Sequence, residues 1–179
     1  MKYEIWGRKQ EGFTIAEIII AISILSFGIV LVYGAFSTII ILTSNIHSRF
    51  AAAYLGQEGL EIIRNLRDNN FIAQSQNPDP SVSWNLGLLG SPCSLGCMVD
   101  YETKNYTELI AWDDSLLNLD SQGFYTYEGG SPTIFKRKIV ITPIVGLEDE
   151  AMNVSVTVSW DYNGKSFTFE ANENLYNWY

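Results

Sequence analysis

The chain has 179 residues, enough for one domain of ordinary size and an additional segment. Its formal net charge is −9, so the protein as a whole would repel nucleic acid and anionic lipid. The apolar residues are unevenly distributed: residues 13–42 hold a large share of them, and the remainder has the composition of a soluble domain.

The first twelve residues form a short polar segment with a small positive charge. Lys2, Arg8 and Lys9 outnumber Glu4 and Glu11. Basic residues beside an apolar segment favour the cytoplasmic side of a membrane. We therefore expect a cytoplasmic N-terminus, with the chain after the apolar segment outside.

A long apolar run follows the polar segment. From Ile18 to Leu42 there is no Lys, Arg, Asp or Glu. As a helix this run would be about 37 Å long at ~1.5 Å per residue. A bilayer core is about 30 Å thick, whereas a cleaved secretory signal has a shorter apolar core of roughly 7–15 residues. The run therefore predicts a transmembrane helix.

The helical pattern continues past the apolar run. Residues 47–70 contain no proline and are rich in helix-compatible Ala, Leu, Glu, Gln and Arg. Ala52, Gly56 and Gly59 place small residues on roughly one face, where another part of the chain could approach closely. We expect one helix over about residues 13–70, with its second half packed on the outer domain.

After residue 70 the pattern changes to loops and strands. A polar loop with two prolines comes first, and Asn163-Gly164 later gives a strong hairpin signal. The first two candidate strands are expected to be joined by the turn EGGSP. The candidate strands are 124–127, 133–145, 152–160 and 166–171. The fold predicted is α+β, an antiparallel sheet of about four strands whose apolar face is covered by the outer half of the helix.

The two cysteines, Cys93 and Cys97, enclose only three residues. In an oxidising exterior this spacing predicts a disulfide, with a pair of free thiols as the alternative. A zinc site is disfavoured because there is no second cysteine pair and the single histidine, His47, lies in the helix.

Residues that could support catalysis or metal binding are scarce. The sequence has no G-x-S-x-G, no H-E-x-x-H and no phosphate-binding glycine loop. The oxygen donors of one loop lack the spacing of a calcium loop and favour a solvated acidic surface; they are Asp113, Asp114, Asn118 and Asp120. We predict no enzymatic activity, no metal and no cofactor.

One carboxylate, Glu17, lies at the start of the apolar run. Thr14-x-x-Glu17 matches a capping box, in which Glu17 bonds the Thr14 backbone N–H. An interfacial acid tolerated near the membrane surface is a second explanation. Neither explains the Gly12-Phe13 pair that ends the basic segment.

The basic leader, Gly12, Phe13, Thr14, Glu17 and the long apolar helix together resemble the class III signal of type IV prepilins and pseudopilins. The resemblance implies a pilin fold, cleavage between Gly12 and Phe13 by a membrane prepilin peptidase, and N-methylation of the new Phe13 amine. It assigns Glu17 to assembly. Processing would supply a Phe13 ammonium as the counter-charge that a carboxylate needs in an apolar helix bundle.

The resemblance extends into the outer domain. Residues 53–70, GFYTY followed by FKRKIVIT, and VSVTVSW with a later LYNW are similar to the minor-pilin, or type IV pilus modification, branch. Many major pilins carry a proline in the apolar helix, whereas the first proline here is Pro78. We divide the chain into a cytoplasmic leader (1–12), a transmembrane and assembly helix (13–45), the outer half of the helix (46–70) and an extracytoplasmic head (71–179).

The resemblance implies a structural subunit of a type IV pilus, a type II secretion system or a DNA-uptake machine. Its partners would be the prepilin peptidase, other pilin subunits, the inner membrane and the platform of the machine. The subunit would start in the inner membrane and end in a cell-surface or periplasm-spanning filament. The alternative is a membrane-anchored extracytoplasmic binding module that is never assembled; an anchored hydrolase has little support.

Overall fold

The computed structural model describes residues 12–76 and 83–178. The polar segment before Gly12, with its predicted charge bias, and the proline-containing part of the predicted loop lie outside the described residues. The described elements are one long helix, α1 (Ile15–Gln76), a 3₁₀ turn (Tyr106–Glu108) and eight strands. The strands are β1 (Cys97–Met98), β2 (Ile110–Ala111), β3 (Asn118–Leu119), β4 (Tyr125–Thr126), β5 (Ser131–Pro132), β6 (Phe135–Pro143), β7 (Ala151–Tyr162) and β8 (Lys165–Tyr176). The predicted α+β class is confirmed.

The chain divides into two units, Met1–Ser44 and Asn45–Tyr179. The described part of the first unit is helical from Ile15 onward, and its apolar side chains are exposed. By length and composition, Ile15–Phe36 could cross a membrane. The hydroxyls of Ser23 and Ser26 donate to helix carbonyls four residues earlier, each at 2.8 Å. These polar groups are therefore satisfied within the helix, as a lipid environment requires.

The second unit, which we call the head unit, is built on a five-stranded antiparallel sheet in the order β2-β1-β6-β7-β8. The alternation predicted for β7 is confirmed, because Val154, Val156 and Val158 are fully buried while their neighbours are only partly covered. Asn163 and Gly164 have φ angles of 51° and 73°, the two positive values that a type I′ hairpin turn requires. The predicted hairpin between β7 and β8 is thus formed.

The sheet differs from the prediction around β4. Tyr125–Thr126 is a strand, but it does not pair with β6, which follows EGGSP and begins at Phe135. Instead β3 lies between β4 and β5 in a separate three-stranded sheet. Leu117 is buried just before β3. Its backbone N–H donates to the Phe135 carbonyl, and its carbonyl accepts the Thr133 backbone N–H. These bonds hold β3 beside the segment that leads into β6, where we expected β4. The main sheet accordingly gains β1 and β2, which are too short to leave a sequence pattern.

Within the head unit, α1 packs its small-residue face against the sheet, as predicted. A Cβ added to Gly59 would lie 3.0 Å from Val156 Cγ1, and one added to Gly56 would lie 2.9 Å from Phe169 Cε1. The helix continues past residue 70, where we expected its end, to Gln76. Phe71 is buried near Trp84, with ring centroids 6.3 Å apart, so the additional turn is held by apolar packing.

Candidate functional site: the N-terminal end of the helix

The first described residues are exposed and precede the helix. Gly12 and Phe13 have no regular secondary structure, and 84% of the Phe13 surface is exposed. A Cβ added to Gly12 would have no described atom within 4 Å. Among the described residues nothing therefore obstructs the peptide bond between Gly12 and Phe13.

Thr14 and Glu17 form the predicted capping box. Glu17 Oε2 accepts hydrogen bonds from the Thr14 backbone N–H at 3.1 Å and from Thr14 Oγ1 at 3.2 Å. In return the Glu17 backbone N–H donates to Thr14 Oγ1 at 3.2 Å. The helix starts here because two backbone donors that lack partners inside the helix are satisfied by these side chains.

The capping box occupies only one of the two carboxylate oxygens of Glu17. Both of its hydrogen bonds fall on Oε2, and Oε1 accepts none from the described residues. Phe13 and Glu17 line one shallow hollow of about 380 Å³, together with Ile18, Ala21 and Ile22. The carboxylate thus has apolar neighbours, no cationic partner among the described residues, and one oxygen available to a donor from outside.

The head unit contains the two cysteines as a disulfide. The sulfurs of Cys93 and Cys97 are 2.01 Å apart, and both residues are fully buried. The bond closes a short loop beside the main sheet, where the Cys93 carbonyl accepts the backbone N–H of Ile141. The disulfide therefore has a local, structural role.

The carboxylates of the acidic loop have partners among the described residues: Asp113 accepts the Ser115 backbone N–H, and Asp114 pairs with Lys136. Asp120 accepts the backbone N–H groups of Phe124 and Gln122, at 2.9 and 2.8 Å, and the hydroxyl of Tyr101 at 3.0 Å. The bond from Phe124, followed by that from Tyr101, lowers the pKa of Asp120, and the same contact with Asp120 raises the pKa of Tyr101 to about 12. Among the described residues no group of three or more His, Cys, Asp or Glu side chains could hold a metal ion.

One important polar residue was missed by the sequence reasoning. Arg137 is fully buried, and its guanidinium donates to the carbonyls of Leu55 (3.1 Å) and Val99 (2.5 Å) and to Glu58 Oε2 (2.8 Å). The signal was present, because Arg137 shares the two-residue period of Phe135 and Ile139 and must face the core with them. This side chain joins α1 to the sheet.

Comparison with known proteins bears on the N-terminal segment. Residues 7–33 match the family model of the prokaryotic N-terminal methylation motif. This range includes Gly12, Phe13 and Glu17 and most of the apolar span. The match supports a type IV pilin-like class III signal on a single-pass membrane anchor. Neither the curated proteins nor the solved structures contain a match to the chain.

Proposed function

We propose that the chain is a minor pilin or pseudopilin, a structural subunit of a type IV pilus or a related filament machine. The observation that carries the proposal is the combination of the methylation motif over residues 7–33 with Glu17, a lone acid at the start of an exposed apolar helix. The α+β head supports it, because a long helix packed on an antiparallel sheet is the architecture that the resemblance implies.

In this proposal prepilin peptidase cleaves the exposed bond between Gly12 and Phe13, and the new Phe13 amine is methylated. Cleavage removes the polar leader and creates a positive charge beside the hollow that Phe13 and Glu17 line. When helices pack side by side, water leaves this region and an unpaired carboxylate becomes costly. The Phe13 ammonium, from the same or a neighbouring subunit, then pairs with Glu17, so processing controls assembly.

The mass of the mature chain tests the processing step. In cells that contain the peptidase we expect a chain that begins at a methylated Phe13. Gly12→Leu should block cleavage because a bulky side chain crowds the scissile bond, whereas Gly28→Leu, at an exposed glycine inside the apolar helix, should be cleaved. An intact Met1 chain from cells with active peptidase would support the unassembled binding module instead.

Substitutions of Glu17 test the assembly step. Glu17→Ala should be cleaved normally but enter filaments poorly, as measured by its amount in sheared filaments relative to membranes. Glu17→Gln is the matched control for the capping box, because glutamine can cap Thr14 as glutamate does but carries no charge. If Glu17→Gln assembles like the unmodified chain, charge pairing is not what Glu17 contributes.

A further inference from the structure

An open apolar groove lies at one end of the head unit, beside the hairpin that joins β7 to β8. Its volume is about 390 Å³, and α1 supplies one wall while β7 and β8 supply the other. Its principal lining residues are Ile46, Arg49, Phe50, Ala53, Trp160 and Phe169. Phe50 is 62% exposed although the head unit has a well-packed core on the same face of the sheet. The groove therefore presents apolar surface that the head unit does not cover.

The polar groups of this groove favour an occupant with negative charge. The Arg49 guanidinium lies over the Phe167 ring, 5.7 Å from its centroid, and forms no ion pair within the described part of the chain. The other arginines of the head unit, Arg64, Arg67 and Arg137, each pair with a carboxylate. Arg49 is thus an uncompensated cation in a strongly acidic protein.

The rest of the groove is mostly apolar. Trp160 is 3% exposed and stacks on Phe167, with the ring centroids 5.7 Å apart. An occupant that brings apolar side chains together with an acidic group would complement this end of the head unit.

A surface with these properties lies at the opposite end of the same sheet, in the loop between β6 and β7. Val145 is 94% exposed, Leu147 is also exposed, and the three acidic residues 148–150 follow directly. The loop is held in shape by backbone bonds from Leu147 to Ile144 (2.9 Å) and from Glu150 to Leu147 (3.0 Å). It is a preformed apolar knob with an acidic flank, which we call the acidic knob (residues 144–150).

The acidic knob cannot reach the groove of its own chain. The knob precedes Ala151 at the start of β7, whereas Trp160 lies near the end of that strand. The nine residue steps from Ala151 to Trp160 span about 30 Å at ~3.3 Å per residue. Contact between the two surfaces therefore requires a second copy displaced by about this distance.

We propose that the acidic knob of one copy docks into the groove of a second copy. Val145 and Leu147 pack against Ile46, Phe50 and Phe169 of that copy, and the acidic flank faces its Arg49. Two different surfaces meet, so the contact is head-to-tail, and it builds an open filament when the rotation between successive copies does not close a ring. The inference rests on the proposed function for its setting, because assembly into a filament is what would hold two copies of the chain with such an offset.

Cysteine cross-linking of the detergent-solubilised full chain tests the contact. One tagged chain carries Val145→Cys and a differently tagged chain carries Phe50→Cys; a short bis-maleimide should give a mixed dimer. Ile110→Cys is the control for the knob, since Ile110 is also apolar and 55% exposed but lies on β2. A mixed-dimer yield no higher than that of the Ile110→Cys chain would overturn the proposal.

Charge reversal tests the role of Arg49 in the same assay. Arg49→Glu in the chain with Phe50→Cys should lower the yield about fivefold or more, the effect expected of one surface pair made repulsive. Glu148→Lys, added to the chain with Val145→Cys, should restore the yield of mixed dimer formed with the Arg49→Glu chain. An unchanged yield, or no restoration, would contradict the docking. A maleimide-bearing phospholipid added to the micelles tests whether the groove binds lipid. If the thiol of Phe50→Cys reacts with this phospholipid and not with the acidic knob, the groove binds lipid and the proposal is wrong.

Failure of the cross-linking experiment can be distinguished from failure of the proposed function. Cross-linking in detergent needs neither the peptidase nor the filament machine, so it can fail while cleavage and Glu17-dependent assembly are observed. It can equally succeed with a chain that is never processed, and then the two head surfaces recognise each other without an assembly role for Glu17.

Discussion

Glu58→Ala is expected to destabilise the head unit strongly, because it removes the only carboxylate that pairs with Arg137 among the described residues. Arg137 is completely buried and would keep its hydrogen bonds to the carbonyls of Leu55 and Val99. Those carbonyls carry only partial charge, so the guanidinium would be left without a counter-ion. Its Nε has no hydrogen-bond partner within residues 12–76 and 83–178, which leaves little room for compensation there.

The size of the effect follows from how exposed the two partners are. Removing one partner of a buried ion pair costs about 3–5 kcal/mol. The side chain of Glu58 is 31% exposed, so water can partly replace its carboxylate, and we expect a loss of about 2–3 kcal/mol in the free energy of unfolding. For a domain of this size that corresponds to a melting temperature lower by about 5–10 °C.

Thermal unfolding of the detergent-solubilised full chain measures this loss. The unfolding is monitored by the near-ultraviolet circular dichroism of the buried tryptophans. Glu61→Ala is the matched control on the same helix. Glu61 is 56% exposed, and its partner Arg64 retains a second carboxylate, Glu173, at 2.7 Å. The control should lose less than about 1 kcal/mol. If the two variants unfold within about 1 °C of each other, Arg137 does not depend on Glu58 and the reasoning is wrong.

Two further predictions concern close packing and pH. Gly59→Leu should lower the melting temperature of the head unit by several degrees, because even a Cβ at this position lies 3.0 Å from Val156 and 3.3 Å from Arg137 Cδ, and overpacking costs about 1–3 kcal/mol. Gly28→Leu, which has open space around it, should leave head unfolding unchanged in the same measurement, and equal effects would refute the packing argument. Asp120→Asn should reduce the acid sensitivity of the head, because the pKa of Asp120 is lowered in the folded state by its hydrogen bonds from Phe124 and Tyr101. A carboxylate whose pKa is lowered by folding stabilises the folded state at pH values above its unfolded pKa of about 4, and this stabilisation is lost as the pH falls through its folded pKa. The melting temperatures of the unmodified chain and Asp120→Asn should therefore converge as the pH is lowered from about 6 to about 3. A constant difference between them would contradict the assignment.

Regular patterns in the sequence predicted the parts of the fold that are themselves regular. The strict alternation of β7 and the Asn163-Gly164 turn determined one hairpin and its buried face. The small residues of α1 indicated where the helix meets the sheet, and Thr14-x-x-Glu17 indicated where the helix begins. In each case a local geometric rule was sufficient, because the residues involved are close in sequence or share one period.

Other features depend on contacts between distant residues and left weaker signals. β1 and β2 have two residues each, too few to show alternation, and they are held by pairing with each other and with β6. Tyr125–Thr126 reads as a strand but pairs with β3, a choice made by the burial of Leu117. Arg137 lies at the centre of a short basic run, and the two-residue period of β6 turns it inward, where its partners Leu55, Glu58 and Val99 come from distant parts of the chain. At the N-terminal site the capping geometry followed from spacing, but cleavage and assembly depend on partners that no pattern within the chain describes.

The contact between Arg137 and the Leu55 carbonyl has a consequence for the order of events during synthesis. These residues are 82 positions apart. At about 5–20 residues per second, β6 is completed roughly 4–16 s after the helix segment it packs against. β8, the last strand of the five-stranded sheet, follows later. During this interval the small-residue face of the helix has no sheet to cover it, so the head unit can complete its core only after β8 has been made.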